Sequence, residues 1–415
     1  MDNTLSRAED ESFNWLVLFL LASSTIILGI IRDGIPALFP FIQAEFELTG
    51  AQVGLFSTFL FASSTLVAVF TGRIVDLLGP KRAMILGASL SGLLMMLFSV
   101  APLFSVILFL AFIIGLGISV ITPAASKGVM EWFPYRVRAT AMGVVQSGIG
   151  VGSLLAAALM PLVAEIFHWR TALLVPGVLS LALGIIFYRF YVSPEGSSGT
   201  ESSQSQEEQE SFWEALSCYL REPYFLLISL LGLVLGLSFG ATNSHYTLYL
   251  FHDHGLTRTV AGLGFGFLHV GAILGRSAWG AISDYFLGGS RRKGLFTIGL
   301  SITFFSLILG FFFTEPGFPL PLLFFLSFCM GFTALGFYGL YVTAVGEFVG
   351  RKNMGVAMGF TLTFFRGGLL LSPPIFGYIA DLRGAYDYSW IIQGVFVLVA
   401  STSIFILLKR YEPQV

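Results

Sequence analysis

Twelve apolar stretches, each close to the roughly 20 residues a helix needs to cross a bilayer, are written into this chain of 415 residues. They run near 14–37, 51–71, 83–101, 104–127, 139–163 and 170–191, then near 223–247, 259–283, 294–313, 320–346, 354–379 and 388–408. In hydrocarbon every backbone N–H and C=O must be bonded within its own segment, so spans of this length can only be helices. Composition agrees, at 55% hydrophobic and 11% charged residues, where a soluble domain carries about 25% charged. Soluble, fibrous and wholly disordered chains are excluded. The fold class expected is an all-α membrane protein of twelve transmembrane helices.

Six stretches lie on each side of one polar break, Ser193 to Glu210 (SPEGSSGTESSQSQEEQE), a composition that solvates rather than packs. The domain organisation expected is therefore residues 1–192, a cytoplasmic linker over 193–222, and residues 223–415. Within the linker, 212–221 (FWEALSCYLR) could form a short interfacial helix. The acidic, polar start of the chain lacks the basic region and cleavage site of a removable signal, so the first stretch is expected to stay as a span. A net charge of −2 argues against a nucleic-acid partner, and two cysteines, Cys218 and Cys329, build neither a disulfide framework nor a metal site. No Walker A sequence, HExxH, nucleophile elbow or Cys/His cluster occurs. No cofactor, no metal and no enzymatic chemistry are expected.

Lys and Arg set the orientation. Fifteen of the 22 fall on the side of the N-terminus, from Arg7 through Arg73, Lys81, Arg82, Arg136 and Arg138 to Lys409 and Arg410. Only Arg170, Arg258 and Arg383 fall on the other. Both termini are expected in the cytoplasm. The remaining four, Arg32, Lys127, Arg276 and Arg366, lie within the spans.

The two halves echo each other. Gly72-Arg-Ile-Val-Asp76-Leu-Leu-Gly79-Pro-Lys81-Arg82 stands between stretches 2 and 3, and Gly280-Ala-Ile-Ser-Asp284 followed by Gly288-Gly-Ser-Arg291-Arg292 between stretches 8 and 9. Arg138-Ala-Thr-Ala-Met-Gly143 opens stretch 5 and Met354-Gly-Val-Ala-Met-Gly359 opens stretch 11. With twelve spans and a polar central loop, this pattern resembles the major facilitator superfamily over essentially the whole chain. The resemblance implies two six-helix bundles, a central cavity and rocking-type alternating access. It also implies that Arg73, Asp76, Lys81 and Arg82, with Asp284, form a cytoplasmic gating loop; a plain positive-inside loop explains Lys81 and Arg82 as well. Arg32-Asp-Gly-Ile-Pro-Ala-Leu-Phe-Pro40, and Gly115-x-Gly117-x5-Pro123-x3-Lys127 before Trp132-Phe-Pro134, are similar to anion:cation symporters. The Arg32 segment also matches organophosphate:phosphate antiporters. Symporters usually place Asp before that Arg, where this chain has Ile31 and puts Asp33 after it. Arg276-x3-Gly280-x3-Asp284 resembles monocarboxylate and oxalate transporters, and the latter also carry a basic residue in the span where Arg366 sits.

A cation at mid-bilayer costs roughly 2.5–3.5 kcal/mol on insertion scales, so each of the four must face a cavity, pair with an acid, or both. Arg366 lies twelve residues into its stretch, about 18 Å along the axis and so near midplane. Its partner is either an anion in the cavity, held bidentately, or an acid such as Asp33 or Glu347. Arg276 is a candidate substrate contact, with His269 seven residues earlier on the same face. Arg32 either faces the cavity or is neutralised by Asp33, and Lys127 is close enough to the interface to snorkel. Asn243, His245, Tyr338, Tyr341 and Gln146 are candidate polar liners; Tyr246 and Tyr249 share the outer part of stretch 7, where an interfacial aromatic belt is the alternative. Asp33, His269 and Glu347 are candidates for proton coupling, with a constitutive pairing to Arg32 the alternative for Asp33. The interior is thus net positive, which attracts and desolvates anions.

The function expected is secondary active transport of small organic anions, most of all carboxylates, coupled to protons or sodium, by a monomer in the plasma membrane (the inner membrane if the cell is bacterial). An organophosphate antiporter, a drug or metabolite exporter, and an inactive receptor-like derivative of the same fold are the competing expectations.

Overall fold

The computed structural model describes residues 14–192, 221–313, 317–349 and 354–411. Among them there are thirteen α-helices and one π-turn, and no strand. The helices are α1 Trp15–Phe46, α2 Gly50–Ser99, α3 Phe104–Ser119, α4 Ile121–Trp132, α5 Tyr135–Ile166, α6 Trp169–Phe190, α7 Pro223–His252, α8 Arg258–Tyr285, α9 Arg291–Phe311, α10 Leu320–Met330, α11 Tyr338–Val349, α12 Met354–Arg383 and α13 Asp387–Tyr411. Eleven segments are long and apolar enough to cross a membrane. Helix α12, with 30 residues, is not among the eleven. The expected linker, apart from Arg221 and Glu222, and the short helix at 212–221 lie outside the described residues, as do Arg7, Cys218, Arg351 and Lys352.

Local chemistry explains most of the element boundaries. Asn14, Thr49, Thr257 and Ser290 cap α1, α2, α8 and α9 by accepting backbone N–H bonds, and Thr49 and Gln52 close a full capping box. Within α2, stretches 2 and 3 are two helices that meet at a sharp kink, where Gly79 leaves helical geometry. Its φ of 74° belongs to glycine, and Pro80 follows as the next helical residue. The tenth stretch is broken by a π-turn, Gly331–Leu335. Trp279 of α8 donates its indole N–H to the Phe332 carbonyl across 2.8 Å. Gly271 and Gly275 of α8 lie so close to the turn that a Cβ at either would overlap its backbone.

Helices of each half pack mainly among themselves: α1 on α5, α2 on α3 and α6, α7 on α12, and α9 on α13. The halves meet along two seams, α2 with α12 and α5 with α8. Both seams are closed at one end and open at the other. At the closed end Gly50 faces Gly377, Gly54 faces Pro373, and Gly262 faces Ala157 and Pro161, contacts that leave no room for a side chain. Further along the same four helices, Gly72, Gly143, Gly280 and Gly359 have nothing within 4 Å of the place a Cβ would occupy. The four seam helices are therefore out of contact at these glycines, toward the end where Asn14 lies.

One buried charge outside the spans links two closed-end loops. Asp253, 9% exposed, accepts the amide of Tyr386 across 2.8 Å. Burial pushes its carboxyl up to about 7, with Asp387 adding to the shift and the Tyr386 amide opposing it. The folded protein then keeps a proton that the unfolded chain releases near pH 3.9. Stability should therefore fall as pH rises from about 4 to about 7 and level off above that. Asp253→Asn keeps an acceptor for the amide and removes the charge. It should flatten that slope and raise the melting midpoint at pH 8 in detergent; equal pH slopes in wild type and variant would contradict the assignment.

Candidate functional site

Two prolines, Pro36 and Pro40, interrupt the hydrogen-bond ladder of α1 beyond Arg32 and Asp33. Asp33 is fully buried, and the Arg32 side chain is 21% exposed. Arg32 Nε donates to both oxygens of Asp33 at 3.1 Å and a terminal nitrogen reaches Oδ2 at 2.6 Å. Ser153 of α5 donates its hydroxyl to Oδ2, and Asn243 Nδ2 of α7 donates to Oδ1 at 3.2 Å. The Asn243 bond crosses from one half of the molecule to the other. Asp33 is thus the hub that ties α1, α5 and α7 together, and Arg32 is neutralised.

On the facing half, His269 of α8, 3% exposed, packs its ring at 4.6 Å from that of Phe265. It lies within electrostatic range of Asp33, Arg32 and Arg276. Arg276 in turn feels Arg32, Asp33 and the Tyr338 hydroxyl, and Tyr338 lies within range of both Arg276 and Arg366. The Tyr338 and Phe365 rings sit 5.7 Å apart, beside Arg366 in α12. The π-turn fixes this side of the site, because its tight seat on Gly275 sets the depth of the next residue, Arg276. Arg32, Asp33, Asn243, His269, Arg276, Tyr338 and Arg366 therefore form one continuous neighbourhood.

Charge is unevenly balanced there. Of the four cations in the spans, Arg32 is paired with Asp33, and Lys127 with Asp76 at 2.6 Å. Among the described residues neither Arg276 nor Arg366 has an acid within 4 Å, and the Arg276 Nε is buried without a hydrogen-bond partner. Glu347, one acid weighed for Arg366, instead pairs with Arg291 at 2.8 Å, and Arg291 also holds Asp284. The other acid weighed, Asp33, is occupied by Arg32. The buried atoms Asn243 Oδ1 and His269 Nε2 likewise have no partner.

Other residues singled out from the sequence fall elsewhere. His245 is fully buried near the closed end, its Nε2 3.1 Å from the Gly50 carbonyl. Tyr341 is buried, with its hydroxyl 3.5 Å from the Thr361 carbonyl. Gln146 donates to the Ser126 hydroxyl at 3.3 Å. Tyr246 and Tyr249 are buried inside the bundle, donating to Ser327 and to the Phe313 carbonyl at 2.9 Å each, rather than standing in an aromatic belt. At the open end Asp76 and Asp284 pair within their own halves, while Arg73 and Arg82 are exposed and Lys81 is half-buried. Ser153 and Asp381, which the sequence reading passed over, carry no local signal: one is a serine in a glycine-rich helix, the other an acid at a helix end.

Removing one member of a buried pair leaves the other charge uncompensated, a loss of about 3–5 kcal/mol. Asp33→Asn should lower the melting midpoint sharply, and Arg32→Gln in the same chain should recover much of that loss. A double variant no more stable than Asp33→Asn would show that the pair is not the hub.

The family model of the Major Facilitator Superfamily matches residues 21–286 and again residues 228–415. The sialic acid transporter NanX of Escherichia coli K12 is 26% identical over 403 residues, covering 93% of this chain and 92% of NanX. The hexuronate transporter of Bacillus subtilis 168 is 22% identical over 410 residues, covering 94% and 93%. In backbone the chain is similar to a bacterial homologue of the human lysosomal transporter Spinster, solved inward-facing and unoccupied, with a TM-score of 0.80 at 18% identity over 95% of this chain and 97% of that one. The chain belongs to the Major Facilitator Superfamily, and it is a multi-pass transporter of the plasma membrane rather than an enzyme.

Proposed function

We propose that this protein moves small organic anions, carboxylates above all, by alternating access around the Arg276–Tyr338–Arg366 cluster. The observation that carries the reading is the pair of cations without an acid. Arg32 and Lys127 are balanced by the chain itself, whereas Arg276 and Arg366 leave up to two positive charges to be met by a ligand. A cavity of that sign favours an anion and repels an organic cation, which disfavours the drug-exporter reading. Hexuronate and sialic acid, moved by two relatives, are both carboxylates. In this scheme Arg366 and Arg276 grip the carboxylate and Tyr338, between them, donates a hydrogen bond. Twelve spans form two bundles, residues 1–192 and 223–415, joined by the linker 193–222. Both termini are cytoplasmic, so the open end faces the cytoplasm and the closed end faces outward.

Proton symport is the coupling we favour, with Asp33 and His269 as the exchanging pair beside the anion. Anion exchange is the second reading. It is favoured by Asp33 itself, which Arg32, Ser153 and Asn243 already occupy. In liposomes, symport predicts net uptake driven by an acidic exterior alone, whereas exchange predicts uptake only with anion inside.

Arg366→Gln should reduce carboxylate uptake by two orders of magnitude or more while the protein still reaches the membrane, since an uncompensated ligand charge in the spans costs about 3 kcal/mol. A panel of mono-, di- and sugar acids should raise the melting midpoint of wild type and leave that of Arg366→Gln unmoved. Stabilisation by amines but by no acid would overturn the anion reading.

A further inference from the structure

The N-terminus of α2 at the outer end is completed by residues of the other half. A helix begins with amides that have no partner within it. Here Thr49 accepts the Gln52 amide at 3.2 Å, but the first two amides are taken by Asp381, near the end of α12. Gly50 N–H donates to Asp381 Oδ1 at 2.6 Å and Ala51 N–H to Oδ2 at 2.9 Å. A carboxylate bridging two amides at the positive end of a helix is a charge-assisted contact. The carbonyl of the same Gly50 faces His245 Nε2 at 3.1 Å, and the ring is held between Phe376 and Tyr386 at 5.4 and 5.8 Å. Acid and imidazole thus both bond the Gly50–Ala51 peptide, the acid at its N–H and the imidazole at its C=O.

We propose that Asp381 and His245 form an outer latch that holds the inward-open state, and that its release is the step admitting solutes from outside. Both are positioning residues and contact no substrate. The polar bonds are concentrated where the halves must part: Ser244 donates to Ser57 and Thr58 to the Leu370 carbonyl, each across 2.7 Å. Below that level the seam has few constraints, because Gly72 and Gly359 of the same two helices meet nothing. Asp381 itself is exposed, so water can replace its two amide bonds as the ends separate, and opening leaves no buried charge stranded. The inference rests on the alternating-access reading but not on the identity of the substrate.

The test uses the full chain in lipid nanodiscs with Cys218→Ser and Cys329→Ala, and spin labels in two pairs, at Phe167 and Phe312 outside and at Leu77 and Phe286 inside. Distances between labels are read by electron–electron double resonance. Asp381→Ala and His245→Phe should each raise the outward-open fraction about tenfold, with the outer distance lengthening as the inner one shortens. Asp381→Glu should restore the wild-type distribution. Should Asp381→Ala fail to fold, Asp381→Asn is read in its place and is expected to shift the same way. Gly54→Trp, a wedge against the Pro373 backbone, serves as the control that opens the outer end by force. If the wedge opens it and the Asp381 and His245 variants keep the wild-type distances, the latch is overturned. If the wedge too changes neither pair of distances, alternating access between these halves is overturned with it.

Discussion

A charge placed in hydrocarbon must find a partner or a water-filled space, and this constraint organises the interior of the protein. The chain meets it at Asp33 by gathering donors from three helices: Arg32 from α1, Ser153 from α5 and Asn243 from α7. That hub neutralises one cation and joins the two halves at mid-depth. It also defines what is left over. With Asp33 engaged, neither Arg276 nor Arg366 has an acid within 4 Å among the described residues, so the same bonds that stabilise the fold leave the facing wall positive. The bonds of one carboxylate therefore bear both on stability and on the charge of the facing wall.

The second organising feature is a difference in how tightly four helices can approach at their two ends. Helices in a bilayer associate through close packing rather than through the hydrophobic effect, and small residues permit it. Along α2 and α12 the glycines at the closed end face backbone, and those at the other end meet nothing within 4 Å. The α5–α8 seam repeats the arrangement, with Gly262 against Pro161 at the closed end and Gly143 and Gly280 free at the other. Helices α2, α8 and α12 carry glycines at both ends of the seams, whereas α5 has Gly143 at one end and Ala157 and Pro161 at the other. In the state described, only the closed-end set is engaged.

Much of this was legible in the sequence, and what escaped has identifiable causes. Apolar length located most of the helix ends to within about five residues, since the bilayer imposes a single ruler, but α1 runs on to Phe46, nine residues past the expected end at 37. It did not show how short the connection between stretches 2 and 3 is: the chain stays helical up to a kink at Gly79 and resumes at Pro80. Depth counting picked out Arg32, Lys127, Arg276 and Arg366, but it could not pair them: the partner of Lys127 is Asp76, 51 residues away and at a span end. Of the two alternatives open for Arg32, pairing with the next residue is the one the structure adopts. His245 stood out as a buried polar group, yet its neighbour Gly50 is 195 residues away and contributes only a carbonyl. Contacts made by backbone leave no trace in side-chain chemistry, and the π-turn that seats Arg276 is equally silent.

Placement of the imbalance matters as much as its sign. The unpaired cations and His269 lie on α8 and α12, each of which also forms a seam with the opposite half. An anion bound there would neutralise charge on the very helices whose partners change as the seams open and close. Arg32 is neutralised by Asp33, which also lies within electrostatic range of Arg276, so the charge left without an acid there is that of Arg276 and Arg366. A bound carboxylate would neutralise it. On the alternating-access reading proposed above, ligand binding would lower the energy of passage between states without touching the closed end of the seams, because that end and the charge sit on the same helices.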